Sequence, residues 1–267
     1  MKSPAEIGAG MSALGVKRSR QPLSRMFALA VLAGVYLALA GVGATTAAAT
    51  VENASVAKLI SACAFPAGLA MILIAGGELF TGNCLIIIPV LERKLKVHEM
   101  LRNWIVVYIG NLLGALLICL LLNYGHTFSL FGNRLAGVVI DTAAAKTSIS
   151  FTDGLLRGIC CNVLVCLAVW MAAATDDAGG KVVALFFPIL MFVVAGYEHC
   201  IANMYYIPAG ILAASNPTYA AAASADLSSL SWAGFFVTNL IPVTIGNIIG
   251  GAGIVGFGYW FVNSRER

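Results

Sequence analysis

Six apolar stretches, at 26–50, 56–91, 104–123, 154–175, 182–214 and 233–262, fix what this chain can become. An apolar helix needs about 20 residues to cross the hydrocarbon core of a bilayer, so the pattern describes an all-α protein threaded six times through a membrane. Composition agrees: 60% of the 267 residues are hydrophobic and 10% charged, against about 45–50% apolar in water-soluble domains. A water-soluble enzyme is thereby excluded. Two stretches have the wrong length. Residues 56–91 and 182–214 exceed one crossing yet leave no room for two crossings and a turn, so each reads as one helix broken in its middle.

Charge orients the chain. Lys2, Lys17, Arg18, Arg20, Arg25, Arg93, Lys94, Lys96, Arg102, Lys181, Arg265 and Arg267 fall on one side of the spans, and only Lys58, Arg134, Lys146 and Arg157 on the other. The positive-inside rule then puts both termini in the cytoplasm of a multi-pass protein of the inner (plasma) membrane. The net charge of +4 implies no nucleic-acid partner, because these cations flank spans. Cys63, Cys84, Cys119, Cys160, Cys161, Cys166 and Cys200 lie in or beside apolar segments and read as small core residues rather than a disulfide framework. The leading stretch is polar and the first apolar run is too long for a signal-peptide core. Its basic residues read as a topogenic flank.

The chain also aligns with itself. Ala75-Gly76-Gly77-Glu78, followed by Asn83, matches Ala195-Gly196-Tyr197-Glu198, followed by Asn203, and prolines follow at Pro89 and Pro208. Asn103 through Gly110-Asn111 and Gly114 matches Asn239 through Gly246-Asn247 and Gly250. Three crossings per half force the halves into opposite orientations, the inverted-repeat plan of many transport proteins. The expected organisation is a cytoplasmic segment 1–25, a first repeat 26–123, an external connection 124–153, a second repeat 154–262 and a cytoplasmic tail 263–267.

Irregular backbone at membrane depth is tolerated where protein or a watery cavity replaces the missing hydrogen bonds. The breaks therefore point to a permeation path. Gly76, Gly77, Gly82 and Gly196 alone would suit close helix packing, but Glu78, Asn83, Glu198, His199 and Asn203 are polar groups that hydrocarbon does not host without a reason. Glu78 and Glu198 have two readings at this point, as acceptors holding the broken backbone and as direct participants in transport.

These residues resemble the formate/nitrite transporter family. The likeness rests on Glu78-Leu79-Phe80-Thr81-Gly82-Asn83, Gly196-Tyr197-Glu198-His199 with Ile201-Ala202-Asn203-Met204, Cys161-Asn162 with Leu164 through Ala168, and Pro242-Val243-Thr244 with Gly246 through Gly251. It implies an aquaporin-like six-helix protomer in a homopentamer, with one pore per subunit for small monovalent anions such as formate, nitrite or hydrosulfide, and no cofactor or metal. By position in the matching motifs, Phe65 and Phe192 resemble an outer constriction with Leu79 beside them, and Leu69, Phe80 and Val165 an inner one. Thr81 and His199 match the polar pair between the constrictions. Asn162 and Asn203 match polar neighbours of the path, and Lys146 a basic residue near the external mouth. Without the likeness, Phe65, Leu69 and Phe192 would be ordinary packing residues.

His199 is the one histidine inside a span, since His98 and His126 lie in connecting segments. It sits by half-helix amides that favour negative charge, and its imidazole titrates nearest neutral pH. Two mechanisms are open: it stabilises an anion that dry rings would otherwise reject, or it supplies a proton so that a neutral acid crosses. A haem protein would need a second intramembrane histidine, and His199 beside Cys200 points about 100° away on a helix. An aquaporin-like neutral-solute channel shares the plan, but its paired Asn-Pro-Ala signature is missing; Asn216-Pro217 lies in a loop.

Overall fold

The computed structural model describes residues 1–264; Arg265 and Arg267, and with them most of the expected cytoplasmic tail, lie outside the described residues. The first helix, α1 (Pro4–Arg20), starts from a capping box in which Ser3 and Glu6 exchange hydrogen bonds and has proline in its first turn, where no amide is needed. Then follow α2 (Leu23–Ala48), α3 (Ala54–Gly76), α4 (Phe80–Leu91) and α5 (Val97–Tyr124). The second half runs through α6 (Arg134–Thr147), α7 (Phe151–Ala172), α8 (Ala178–Val194), α9 (Cys200–Ala214) and α10 (Gly234–Asn263).

Both overlong stretches are broken as expected. Helix α3 closes in a π-helical turn over Ile72–Gly76 and gives way to α4 across Gly77, Glu78 and Leu79; α8 gives way to α9 across residues 195–199. Gly76 (φ +101°) and Gly196 (φ +70°), equivalent in the repeat, adopt the left-handed conformation that a Cβ disfavours. The crossings are thus α2, α3–α4, α5, α7, α8–α9 and α10, an all-α aquaporin-like fold of two inverted halves.

Each half is zipped by close backbone approach. A Cβ added at Gly114 on α5 would stand 2.1 Å from the Val31 carbonyl oxygen on α2, and one at Gly250 on α10 would stand 2.2 Å from that of Ile159 on α7. Small residues let such helices pack where lipid supplies no hydrophobic drive.

Two segments without a span are also helical. The N-terminal segment, expected as a basic flank, forms α1, which buries Ile7 and Met11 and seats Gly15 on Pro89. The connection 124–153 contains α6, whose Ala143 faces Gly210 of α9 in the same chain, where an added Cβ would approach to 2.2 Å.

Candidate functional site

A helix that breaks inside protein leaves amides and carbonyls that must find partners. At both breaks an asparagine supplies them. Asn111 Oδ1 accepts from the Phe80 amide (3.0 Å), and its Nδ2 donates to the carbonyls of Glu78 (2.9 Å) and Ala30 (2.7 Å). Asn247 Oδ1 accepts from the Cys200 amide (2.9 Å), and its Nδ2 donates to the carbonyls of Glu198 (3.0 Å) and Gly158 (2.8 Å). The Glu78 and Glu198 amides reach the carbonyls of Leu29 and Arg157. Each of these bonds at one break has its counterpart at the other.

The acidic side chains are held in the same matched way. Glu78 accepts from Asn83, from Gln21 (3.0 Å) and from Arg18 Nε (3.3 Å), while Asn83 also accepts from Arg18 (2.8 Å) and donates to Asn103 (2.9 Å). Glu198 accepts twice from Lys146 Nζ (2.8 and 2.9 Å) and once from Asn203 (2.6 Å), which also donates to Asn239 (2.7 Å). The pairs Arg18/Lys146, Leu29/Arg157 and Ala30/Gly158 are all 128 positions apart. The correspondence therefore reaches past 26–123 and 154–262 to include α1 and α6, and each break receives one cation from the helix ahead of its half. Arg18 was not among the sequence candidates; the shared 128-residue offset is the signal that finds it.

Between the breaks, Thr81 Oγ1 and His199 Nε2 are 2.9 Å apart. His199 Nδ1 accepts from the Ala202 amide (3.0 Å) and caps α9. An imidazole nitrogen that accepts carries no proton, so this network assigns the proton to Nε2, which donates to Thr81. Thr81 is placed in turn through its carbonyl, which accepts from Asn162 Nδ2 (3.3 Å) and Cys166 Sγ (3.3 Å).

His199, Phe65, Leu69, Leu79, Val165 and Phe192 line a buried cavity of about 10 Å³, joined by Leu37 and Ile189. That is room for one water at most. Leu37 and Val165 share the 128-residue offset, and Leu69 and Ile189 the 120-residue offset of Glu78 and Glu198, so the two unanticipated residues are the repeat partners of two anticipated ones. Leu79 and His199 are equivalent too, which makes His199 the polar break in an otherwise apolar lining. Phe80 lies apart from this lining. Its ring packs on Tyr108 (4.9 Å between centroids) and Trp104 (5.9 Å), beside an apolar cleft between α5 and α10.

On the Lys146 side lies a larger cavity, a vestibule of about 390 Å³. Phe65 and Phe192, in edge-to-face contact at 5.8 Å, line both this vestibule and the small cavity, so they stand between the two. Leu69, Leu79 and Val165 line only the small cavity. Lys146, Asn203 and Glu198 line the vestibule, whereas Asn162 is buried behind Thr81.

The family model described as formate/nitrite transporter matches residues 5–261. The chain is 38% identical to the formate channel FocA of Escherichia coli K12, over 99% of this chain and 95% of that one. It is 34% identical to a probable formate transporter of Methanothermobacter thermautotrophicus, over 99% and 98%. Among solved structures it resembles a pentameric formate channel with formate bound (TM-score 0.81, 35% identity, 90% of this chain and 97% of that one) and an FNT family ion channel (TM-score 0.83, 28% identity, 96% and 98%). These relatives are channels and transporters, not enzymes. A family model spanning nearly the whole sequence, joined by full-length relatives above 30% identity, establishes that the chain belongs to the formate/nitrite transporter family.

Proposed function

We propose that this protein forms a homopentamer in the inner membrane, with cytoplasmic termini and one pore per subunit, and that each pore carries the small anion of a weak acid together with a proton. Formate is the first candidate, since relatives named as formate channels match along almost the entire chain and a solved relative holds formate; nitrite and hydrosulfide share its size and weak-acid chemistry. The orientation follows the charge bias of the loops and puts the Lys146 vestibule outside.

The observation that carries this reading is the Thr81–His199 pair at a cavity otherwise lined by apolar side chains. A naked anion loses its hydration in such a ring and is rejected. A fixed imidazolium would compensate, but protonating Nδ1 removes the acceptor that caps α9. The resting pair is instead a neutral hydrogen-bond donor: Nε2–H points at Thr81, and the threonine hydroxyl keeps its own proton to donate. Such a pair suits a carboxylic acid better than a carboxylate. The anion takes a proton from vestibule water at the Phe65–Phe192 boundary, crosses as the neutral acid bonded to the Thr81 hydroxyl that His199 orients, and releases the proton beyond Leu69 and Val165.

Uptake of labelled formate, nitrite and hydrosulfide into proteoliposomes, beside glycerol as a neutral solute, tests the assignment. Formate uptake that His199→Asn slows at least tenfold is the expected result. Unchanged uptake in that variant, or glycerol flux exceeding that of all three anions, would overturn it.

A further inference from the structure

We infer that Lys58, rather than Lys146, supplies the free positive charge that gathers anions in the external vestibule. The inference rests on the reading that this protein carries an anion and names the residue that recruits it.

The vestibule is lined by Lys58, Lys146, Tyr197, Glu198, His199 and Tyr206, among others. Three of these are ordinarily charged. Lys146 is spent: its Nζ bonds both oxygens of Glu198 at 2.8 and 2.9 Å, its side chain is 17% exposed, and it stands 5.7 Å from the Tyr206 ring centroid. Glu198 is spent as well, since Asn203 and Asn239 also donate to it. At a distance that pair is a dipole whose field falls off steeply, so the vestibule's net charge of one resides on the third group.

Lys58 is exposed and has no hydrogen-bond or ion-pair partner among the described residues, although Lys146 and Glu198 lie within its electrostatic reach. It precedes Phe65 by seven positions on α3, two turns along the same helical face and roughly 10 Å along the axis. An anion attracted to Lys58 is thus delivered to the boundary ring and not bound within it. A flexible, unpaired ammonium suits that task, because a recruiting charge that held the anion tightly would slow its release.

The repeat supplies no counterpart of Lys58 in the other half. Arg18 is paired with Glu78 and Asn83, and the position matching Lys58 at the 120-residue offset is Ala178. Recruitment by this charge is therefore one-sided and acts on entry from the vestibule that Lys146 faces.

The test is the initial rate of labelled formate entry into proteoliposomes of determined sidedness, against formate concentration, at low and high ionic strength. Screening shortens from a Debye length of ~30 Å at 0.01 M to ~3 Å at 1 M, so a recruiting charge acts strongly in the first condition and little in the second. Lys58→Gln is expected to raise the KM for entry from the vestibule about threefold to tenfold at low salt, the lower edge of what electrostatic steering gives and fitting a single charge, and to match native protein at high salt. Lys58→Glu raises it further, Lys58→Arg restores it, and KM for exit stays native. If Lys58→Gln fails to insert, Lys58→Met is read in its place. An unaltered KM at low salt, as for a lysine that only anchors α3 at the lipid interface, or a change that survives at high salt would overturn the inference. Native protein that moves no anion would instead fail the functional reading beneath it.

Discussion

The Thr81 hydroxyl stands 2.9 Å from His199 Nε2, joining the two broken segments at the point where the chain's one intramembrane histidine faces apolar side chains. Thr81→Val keeps the shape and removes the acceptor, leaving a buried N–H unpaired at a cost of about 1–3 kcal/mol. Formate flux is expected to fall at least tenfold, while Thr81→Ser stays within about threefold of native. Stopped-flow uptake in proteoliposomes checks both. A Val variant as fast as the Ser variant would remove the hydroxyl from the account.

The asparagines that close the breaks predict a matched pair of stability losses. Asn111→Leu orphans the Phe80 amide and the Glu78 carbonyl and strips a second bond from the helical Ala30 carbonyl, and Asn247→Leu does the same to their counterparts. At about 1 kcal/mol or more for each unsatisfied buried group, each variant should lose roughly 2 kcal/mol and show a clear drop in Tm by thermal unfolding in detergent. A loss at only one site would mean that the two breaks are held by different means.

The Lys146–Glu198 pair separates electrostatics from packing. Removing one partner of a buried ion pair costs about 3–5 kcal/mol because the other charge is left unpaired. Lys146→Met and Glu198→Gln should each destabilise strongly, and the double variant by less than their sum. A double-mutant cycle on unfolding in detergent measures the coupling, and strict additivity would contradict the contact.

Outside the spans, Lys2 donates to Asp176 at 2.6 Å, and this bond holds the Asp176 carboxyl below its ordinary range. A carboxylate with a lowered folded value contributes attachment that is complete above its unfolded value, near pH 4, and lost as pH falls through the folded one. Protease cleavage within residues 1–20 is therefore expected to accelerate on acidification below about pH 4 in native protein. Lys2→Met should accelerate less than native protein over that range, once protease activity is corrected, because the Arg20–Glu99 bond that also holds α1 still titrates. Identical pH profiles would sever α1 docking from this pair.

The breaks at Glu78 and Glu198 were legible because polar residues and glycines stand out against apolar sequence, and length alone made both stretches anomalous. The juxtaposition of Thr81 and His199 was legible through its motif. Arg18 was not, since α1 is only weakly apolar and its partners Glu78, Asn83 and Asn103 are 60 or more positions away. Leu37 and Ile189 look like any aliphatic residue in a span, and only their repeat partners mark them. The side chain of Phe80 follows Leu79 directly yet faces Tyr108, because Leu79 is extended backbone and Phe80 opens the helix; motif position does not carry that information.

The central claim is that a neutral Thr81–His199 pair passes the acid and not the naked anion. Charge moved per labelled formate, recorded in proteoliposomes clamped at several membrane potentials, tests it most directly. The account predicts one proton taken up with each formate, no net current, and a rate indifferent to potential. A current of one negative charge per formate that follows the potential would contradict it.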